Sequence, residues 1–297
     1  SPAPSPSHAA ATGAGADMAV VAFTQEMATL GSDVASGVCE ALGLEMVRHE
    51  VGDHVAGKMQ VKKSLIRRLR EGKAGPFERW AADEKSISIF TAEEVYDLAV
   101  KGNVLIRGWG ATMLLRHVAH IPCVRVCAPM GLRVERLMKR LETDDEALAR
   151  HEIEVDDHAR ASRMAEHFDV HWGNPELYDL TLNTERLPVA TCVDMVVGLA
   201  RSASFQETPA SRQNLADLAL AARARAALKA NPATAGIDVH IEGRAGRLLL
   251  RGIVANEREH ALCIEVAGAV AGAAGIDDEL STMSGRMKLF PQQHLRK

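Results

Sequence analysis

The residues best suited to chemistry are a short turn and a set of spaced arginines. In VAFTQEMATLGSDVASGVCEALGL, from Val21 to Leu44, an apolar run meets an amphipathic helical pattern through a turn that holds Gly31. That is the layout of a phosphate-binding loop. Such a loop needs glycines, so that backbone N–H groups approach phosphate, and a cation that reaches the outer oxygens. The stretch contains neither Lys nor Arg. Further along, Arg133, Arg136 and Arg140 are three and four residues apart, so a helix puts them on one face where they can meet phosphates together. The same spacing also fits a solvated face paired with Glu135, Glu142 or Asp157.

Other reactive types point elsewhere. Cys39, Cys123, Cys127, Cys192 and Cys263 are odd in number and scattered, which fits reduced, buried thiols and a cytoplasmic setting rather than a disulfide framework. Cys123 and Cys127 would share a strand face but have no further ligands nearby in sequence, and His167 and His171 sit just before a Gly and Pro turn, so no metal site is expected. The basic run Lys62, Lys63, Arg67, Arg68 and Arg70 could line an anion site, but Leu65, Ile66 and Leu69 give it an apolar stripe. An exposed amphipathic helix is therefore preferred, and the lack of interleaved aromatics argues against nucleic acid.

These residues need a scaffold, and the apolar periodicity supplies one. A strand is expected at about 18–24, a helix at 31–42, charged helical sequence around 61–73, and a helix opening at a Thr91/Glu94 capping box and ending near Gly102. NVLIRGWGA and IPCVRVCA are Val- and Ile-rich runs separated by the helical-looking TMLLRHVAH, which predicts strands of a parallel sheet. One long helical segment over 131–168, the turn WGNPE, the strand YDLTLNT and the helix PVATCVDMVVGLA follow. The polar stretch 202–213 reads as a linker, and the remainder as α-β-β-α-β.

The expected organisation is a disordered leader at 1–17, an α/β domain at 18–201, the linker at 202–213, a small domain at 214–284 and a basic tail at 285–297. With 25% charged residues and a net charge of −4, the chain has no general pull towards nucleic acid or anionic membrane, so an anion site must be local. No apolar run is long enough to be a transmembrane segment.

The segment VDDHARASRMAEHFDVHWGNPELYDLTLNT resembles the cytidylate-kinase-like family, a branch of the P-loop nucleoside monophosphate kinases. Asp157 and Arg160 form its Asp-x-x-Arg pair, and Trp172, Gly173, Tyr178, Asp179 and Asn183 fall in matching places. GNVLIRGWGA and VRVCAPMGLRVERL resemble its central strand and the strand that leads into an arginine-bearing lid helix. The resemblance implies a P-loop kinase-like parallel sheet flanked by helices, with ATP and Mg²⁺ as cofactors and CMP or dCMP as acceptor. It also implies that the backbone around Thr29, Gly31, Ser32 and Asp33 cradles ATP while Arg133, Arg136 and Arg160 steady the migrating charge and Asp157 orients Arg160 or a metal-bound phosphate. LLLRGIVANEREHALCIEVAGAVAGAAGIDDEL resembles a BON domain, with a turn at Gly252 and a Gly275 step into the last strand. That module implies a macromolecular or self-association partner, or simple packing against the larger domain.

Against the family pattern, Ala28 and Leu30 occupy glycine places, Gln25 replaces an Arg, and Ser32 replaces the phosphate-reaching Arg or Lys. At the central strand, Gly108 and Trp109 stand where the family has Gly-Arg, and Arg107 is one place early, a shift that strand alternation turns to the other face. The sequence thus reads as a kinase-like protein with a degenerate phosphate loop, weakened or inactive, that binds, regulates or assembles through its BON domain. An active ATP-dependent (d)CMP-type kinase and a scaffold that binds no nucleotide are the alternatives.

Overall fold

A computed structural model describes residues 19–81, 83–270 and 272–283. The expected leader and tail lie outside the described residues. Along the chain come β1 (Val20–Gln25), α1 (Gly31–Leu42), β2 (Glu45–Val47), α2 (Glu50–Met59), α3 (Lys63–Arg70), α4 (Pro76–Ala81) and α5 (Glu84–Lys101). Next are β3 (Val104–Arg107), α6 (Ala111–Leu114), β4 (Cys123–Cys127), α7 (Met130–Leu141), α8 (Glu146–Phe168), β5 (Leu180–Asn183) and α9 (Val189–Ala200). The C-terminal part has α10 (Pro209–Ala230), β6 (His240–Arg244), β7 (Arg247–Val254), α11 (Glu257–Gly268) and β8 (Ile276–Thr282).

The fold is α/β. Five parallel strands run in the order β2-β3-β1-β4-β5, with helices on both faces. Alternation decides which residue goes where: Val20 and Ala22 of β1 pack with Ile106, Val95 and Tyr96, whereas Val21 and Phe23 pack with Leu105, Val34 and Val38 under α1. Because β1 is central, the loop that follows it opens at the carboxyl edge beside the ends of β3 and β4, where ligands of such sheets bind.

Several expectations need correction. The Thr91/Glu94 capping box does not start a helix: Asp83 caps α5 by accepting from Ser86 N at 3.0 Å, and Thr91 is buried in mid-helix. The helical segment 131–168 is two helices, broken where Glu142 is left-handed at φ 54° and Asp145 caps α8 through Leu148 N. TMLLRHVAH is helical only through Leu114. The short edge strand β2 was not anticipated; its three residues are too few for an alternation signal.

The polar stretch 202–213 is not a free linker. It contains a 3₁₀ turn at Ala203–Phe205 and the first turn of α10, where Thr208 and Ser211 cap reciprocally and Pro209 is the first helical residue. From there α10 runs against α5, and Leu215, Ala219 and Ala222 are buried in the same cluster as Val20 and Ile106. Its Leu220, Ala224 and Leu228 face the second sheet, β6-β7-β8. Helix and hairpin approach so closely that a Cβ on Gly243 would lie 2.0 Å from Asp217 O, and the Asp217 carboxylate accepts from Ala245 N and Gly246 N in the turn. The Gly252 turn is also corrected: Gly252 lies inside β7, paired with Leu280, at φ 149°.

Candidate functional site

The turn after β1 keeps one glycine, Gly31, and puts two other residues into left-handed backbone. Ala28 and Leu30 are left-handed, at φ 60° and 59°, the conformation glycine adopts without penalty. Each costs about 1–2 kcal/mol for an L-residue. Gly31 survives for a steric reason, since a Cβ there would sit 2.8 Å from the Gln25 side chain. Asp33 N and Val34 N return to Leu30 O, while the N–H groups of Ala28 through Ser32 find no acceptor among the described residues. They are free to face a phosphate.

Of the four cofactor-binding candidates, Thr29 is fully buried; its hydroxyl donates to Glu26 O, and its carbonyl accepts from Thr184 Oγ1 at 2.7 Å. It shapes the loop. Ser32 and Asp33 are exposed in the first turn of α1. The Ser32 hydroxyl accepts from Arg107 Nη1 at 2.6 Å and from Gln25 Nε2 at 3.3 Å. Arg107 is therefore a cation at the place where the loop itself has none. Residues 105 and 107 share a strand face, and that face lies under α1, whose Val34 and Val38 pack on Leu105. The one-place shift does turn Arg107, but it turns it into the loop. Burial, with Arg48 and Arg160 nearby, brings its pKa down to about 10, so it is cationic at neutral pH.

The remaining candidates divide. Arg133 is buried; it holds Asp157 in a two-pronged pair at 2.8 and 2.7 Å, lies 3.4 Å from Glu26 and donates from Nε to Met27 O at 2.8 Å. Arg136 donates to Thr184 Oγ1 and Thr184 O. Arg160 is tied to Asp156 at 2.7 Å and lies 5.9 Å over the Trp172 ring. Asp157 thus pairs with Arg133, and it is Asp156 that orients Arg160. Asp179 accepts from Cys123 N at 2.7 Å and pins the start of β4.

Two cavities adjoin at the carboxyl edge of the sheet. One is a polar cleft of about 660 Å³ reaching Ser32, with Lys63, Arg67, Arg70, Arg140 and Arg160 on its walls. The basic run on α3 therefore lines a cleft and is not merely an exposed face, although Arg68 is used by Glu78. The other is a smaller apolar pocket of about 150 Å³ formed by Leu114, Met164, Phe168 and Trp172 with Thr91 and Arg163. Ile66, Arg70, Trp109 and Arg160 border both. Sequence reasoning turned Arg107 away from the loop and missed the Arg70–Trp109 pair; the Gly-Trp-Gly run at 108–110, all at positive φ, was the local signal that this loop is built to hold a special shape.

The cysteines are free, and Cys123 is buried with its thiol pushed up to about 12 by burial. Among the described residues no helix is long and apolar enough to cross a membrane, and no group of three His, Cys, Asp or Glu side chains could hold a metal.

A family model described as Cytidylate kinase-like family matches residues 20–186, and one described as BON domain matches residues 216–283. The chain is 28% identical over 116 residues to a cytidylate kinase of Staphylothermus marinus, an alignment that covers 39% of this chain. It spans 64% of that curated relative's length. Among solved structures it is similar to an uncharacterized protein from Eubacterium ventriosum, with TM-score 0.49 and 19% identity, covering 62% of this chain and 99% of the other. It is also similar to a gluconokinase from Sinorhizobium meliloti, with TM-score 0.39 and 16% identity, covering 62% and 93%.

Proposed function

The chain belongs to the cytidylate kinase-like family, and from that premise we propose that it still binds a nucleoside triphosphate at residues 28–33 and transfers its terminal phosphoryl group, at a reduced rate, to a (d)CMP-type nucleotide. One observation carries this reading: the Arg107 guanidinium at 2.6 Å from Ser32 Oγ, a cation brought from the neighbouring strand to the loop that lost its own. Backbone N–H groups of the turn hold the polyphosphate, and Arg107 balances charge on its outer oxygens. The second nucleotide enters the basic cleft that opens on the same loop.

Magnesium fits this site in the manner usual for phosphoryl transfer, where the ion keeps most of its waters and takes its ligands from phosphate and one or two protein oxygens. Asp33, exposed in the first turn of α1, offers the carboxylate. When bound, the ion would neutralise charge on the outer phosphates. Arg133 and Arg136 hold the lid helix and the turn together instead of contacting phosphate, since their donors are engaged with Met27, Asp157 and Thr184. The rate is reduced because the loop is held at a strained geometry and its cation is already engaged with Ser32. The BON part, a binding module by family, is also a brace, since α10 completes the core.

Calorimetric titration with Mg-ATP and then CMP tests the reading. Micromolar heats and measurable turnover are expected for the full chain. Arg107→Ala should weaken ATP binding by about tenfold or more, the loss of one charged hydrogen bond, and Ser32→Lys added to it should restore much of that affinity. No heat up to millimolar ATP would sink the proposal.

A further inference from the structure

Ala28 and Leu30 stand in glycine places, yet both hold the left-handed backbone that glycine adopts freely, at φ 60° and 59°. Strain of this kind persists only where the surroundings over-determine the backbone. The turn from Met27 to Gly31 must therefore be held from outside, and the bonds that hold it converge on Glu26. Thr24 of β1 pairs in register with Arg125 of β4, so Glu26, two residues further on, emerges on the same face of the sheet as Arg125. Its main-chain N–H still donates to Val126 O at 3.1 Å. Its carbonyl accepts from the Thr29 hydroxyl at 2.9 Å, which closes the turn from within.

The Glu26 carboxylate is reached from β4, from the turn after it and from α7. Arg125 Nη2 donates to Oε1, Ala128 N donates to Oε2 at 3.3 Å, and Arg133 Nη1 lies 3.4 Å from Oε2. Arg133 also donates from Nε to Met27 O at 2.8 Å, so the residue before Ala28 is fixed by the same guanidinium. Arg125 is in turn fixed by the segment that carries the family resemblance. Its guanidinium carbon is 5.3 Å from the centre of the Trp172 ring and 5.8 Å from that of Tyr178, whose hydroxyl donates to Trp172 O at 2.8 Å. Arg125 Nε has no acceptor among the described residues, so Glu26 and the two rings are what hold this side chain. The group is nearly dry, with side-chain exposures of 13% for Glu26, 9% for Arg125 and 4% for Arg133. A neutral residue at 26 would leave two buried guanidinium groups short of an anion.

We propose that Glu26 is the positioning residue of the turn after β1: pinned by Arg125 and Arg133, it imposes on Ala28 and Leu30 the backbone that glycine adopts unaided, and so keeps the N–H groups of residues 28–32 open to a polyphosphate. The inference rests on the nucleotide reading above and deepens it. Glu26 touches no phosphate itself, since its carboxylate is engaged by Arg125, Ala128 N and Arg133. The Trp172 and Tyr178 rings act one contact further away, by keeping the Arg125 guanidinium in place.

Titration of the full chain with Mg-ATP and, separately, with CMP tests this in two backgrounds, the native turn and a turn carrying Ala28→Gly with Leu30→Gly. In the native turn, Glu26→Gln should weaken ATP binding by about tenfold or more, the release of the strained backbone, and leave CMP affinity within about twofold. In the glycine background the same substitution should cost less than about threefold, because glycine holds left-handed backbone without help. Arg133→Lys keeps the charge but cannot fork between Met27, Glu26 and Asp157, so it should follow the same pattern on a smaller scale. It replaces Glu26→Gln in the comparison if that variant's thermal midpoint falls too low for titration. With ATP bound by the native chain, three results overturn the inference alone: unchanged ATP affinity in the variants, an ATP loss of equal size in both backgrounds, or a parallel loss of CMP affinity that marks a merely structural role. Absence of any nucleotide binding by the native chain overturns the reading it rests on.

Discussion

Individual residues in this protein do work that their own positions do not advertise. Leu30 keeps the backbone shape of a glycine, and Arg107 provides the charge that Ser32 lacks. The strain at Leu30 is measurable. Its side chain is 36% exposed, so Leu30→Gly forfeits little packing. Relief of the left-handed penalty, less the extra chain entropy of glycine, should stabilise the fold by about 0.5–1 kcal/mol. Urea unfolding of the variant checks it; an unchanged or lower midpoint would mean that the turn relaxes out of this geometry in solution. Two polar atoms near the loop, Gln25 Oε1 and Arg125 Nε, are buried without a partner among the described residues, a further cost concentrated at this edge of the sheet.

Between elements, the α2–α5 contact is held by an ionic clamp. His54 faces Glu93 at 3.1 Å through Nε2 and Glu94 at 2.9 Å through Nδ1, and Lys58 also reaches Glu93 at 3.0 Å. Hydrogen bonds to Glu93 and then Glu94 raise the His54 pKa to about 9. A folded-state pKa above the unfolded value means that the clamp's stabilisation is complete below about pH 6.5 and fades as pH rises through 9. Its size is at most about 3.5 kcal/mol, since each unit is worth about 1.4. The native chain should therefore lose stability between pH 6.5 and 9 relative to His54→Gln, and a pH-independent difference between the two midpoints would refute the clamp. Because α2 leads into α3, which carries Arg70, the clamp also fixes one wall of the cleft.

At the scale of the whole molecule, α10 makes one body of two family segments. Leu215, Ala219 and Ala222 complete the core of the larger domain, while Leu220 and Leu228 belong to the smaller one. Ion pairs Arg223–Asp97 and Lys229–Asp83 tie the same helix to α5, and Lys85–Asp238 ties α5 to the loop before β6. Cutting the chain after Ser202 would expose the cluster around Val95 and Tyr96, so the larger domain is not separable there. Calorimetry should show a single unfolding transition for the full chain, and Leu215→Ala, costing about 2–4 kcal/mol, should lower it as one. Two transitions, with only one displaced by Leu215→Ala, would show that the halves unfold independently.

The sequence by itself determined the parallel strands β1, β3, β4 and β5, the α-β-β-α-β module and the position of the turn after β1, because alternation, helical spacing and glycine are written along the chain. It also located the glycine losses at Ala28 and Leu30, since their register with Gly31 is local. The helix starts at Asp83 and Thr208 were misread because caps compete, and the sequence does not rank them. Only the tertiary structure decided what became of the missing cations. Ser32 and Arg107 are 75 residues apart, and their meeting depends on β3 lying beside β1 with its odd face under α1. Likewise, Arg70 reaches Trp109 only because α3 packs over the end of β3. Charge acts through space while pattern acts along the chain, so a site can lose its cations in sequence and hold them in the fold.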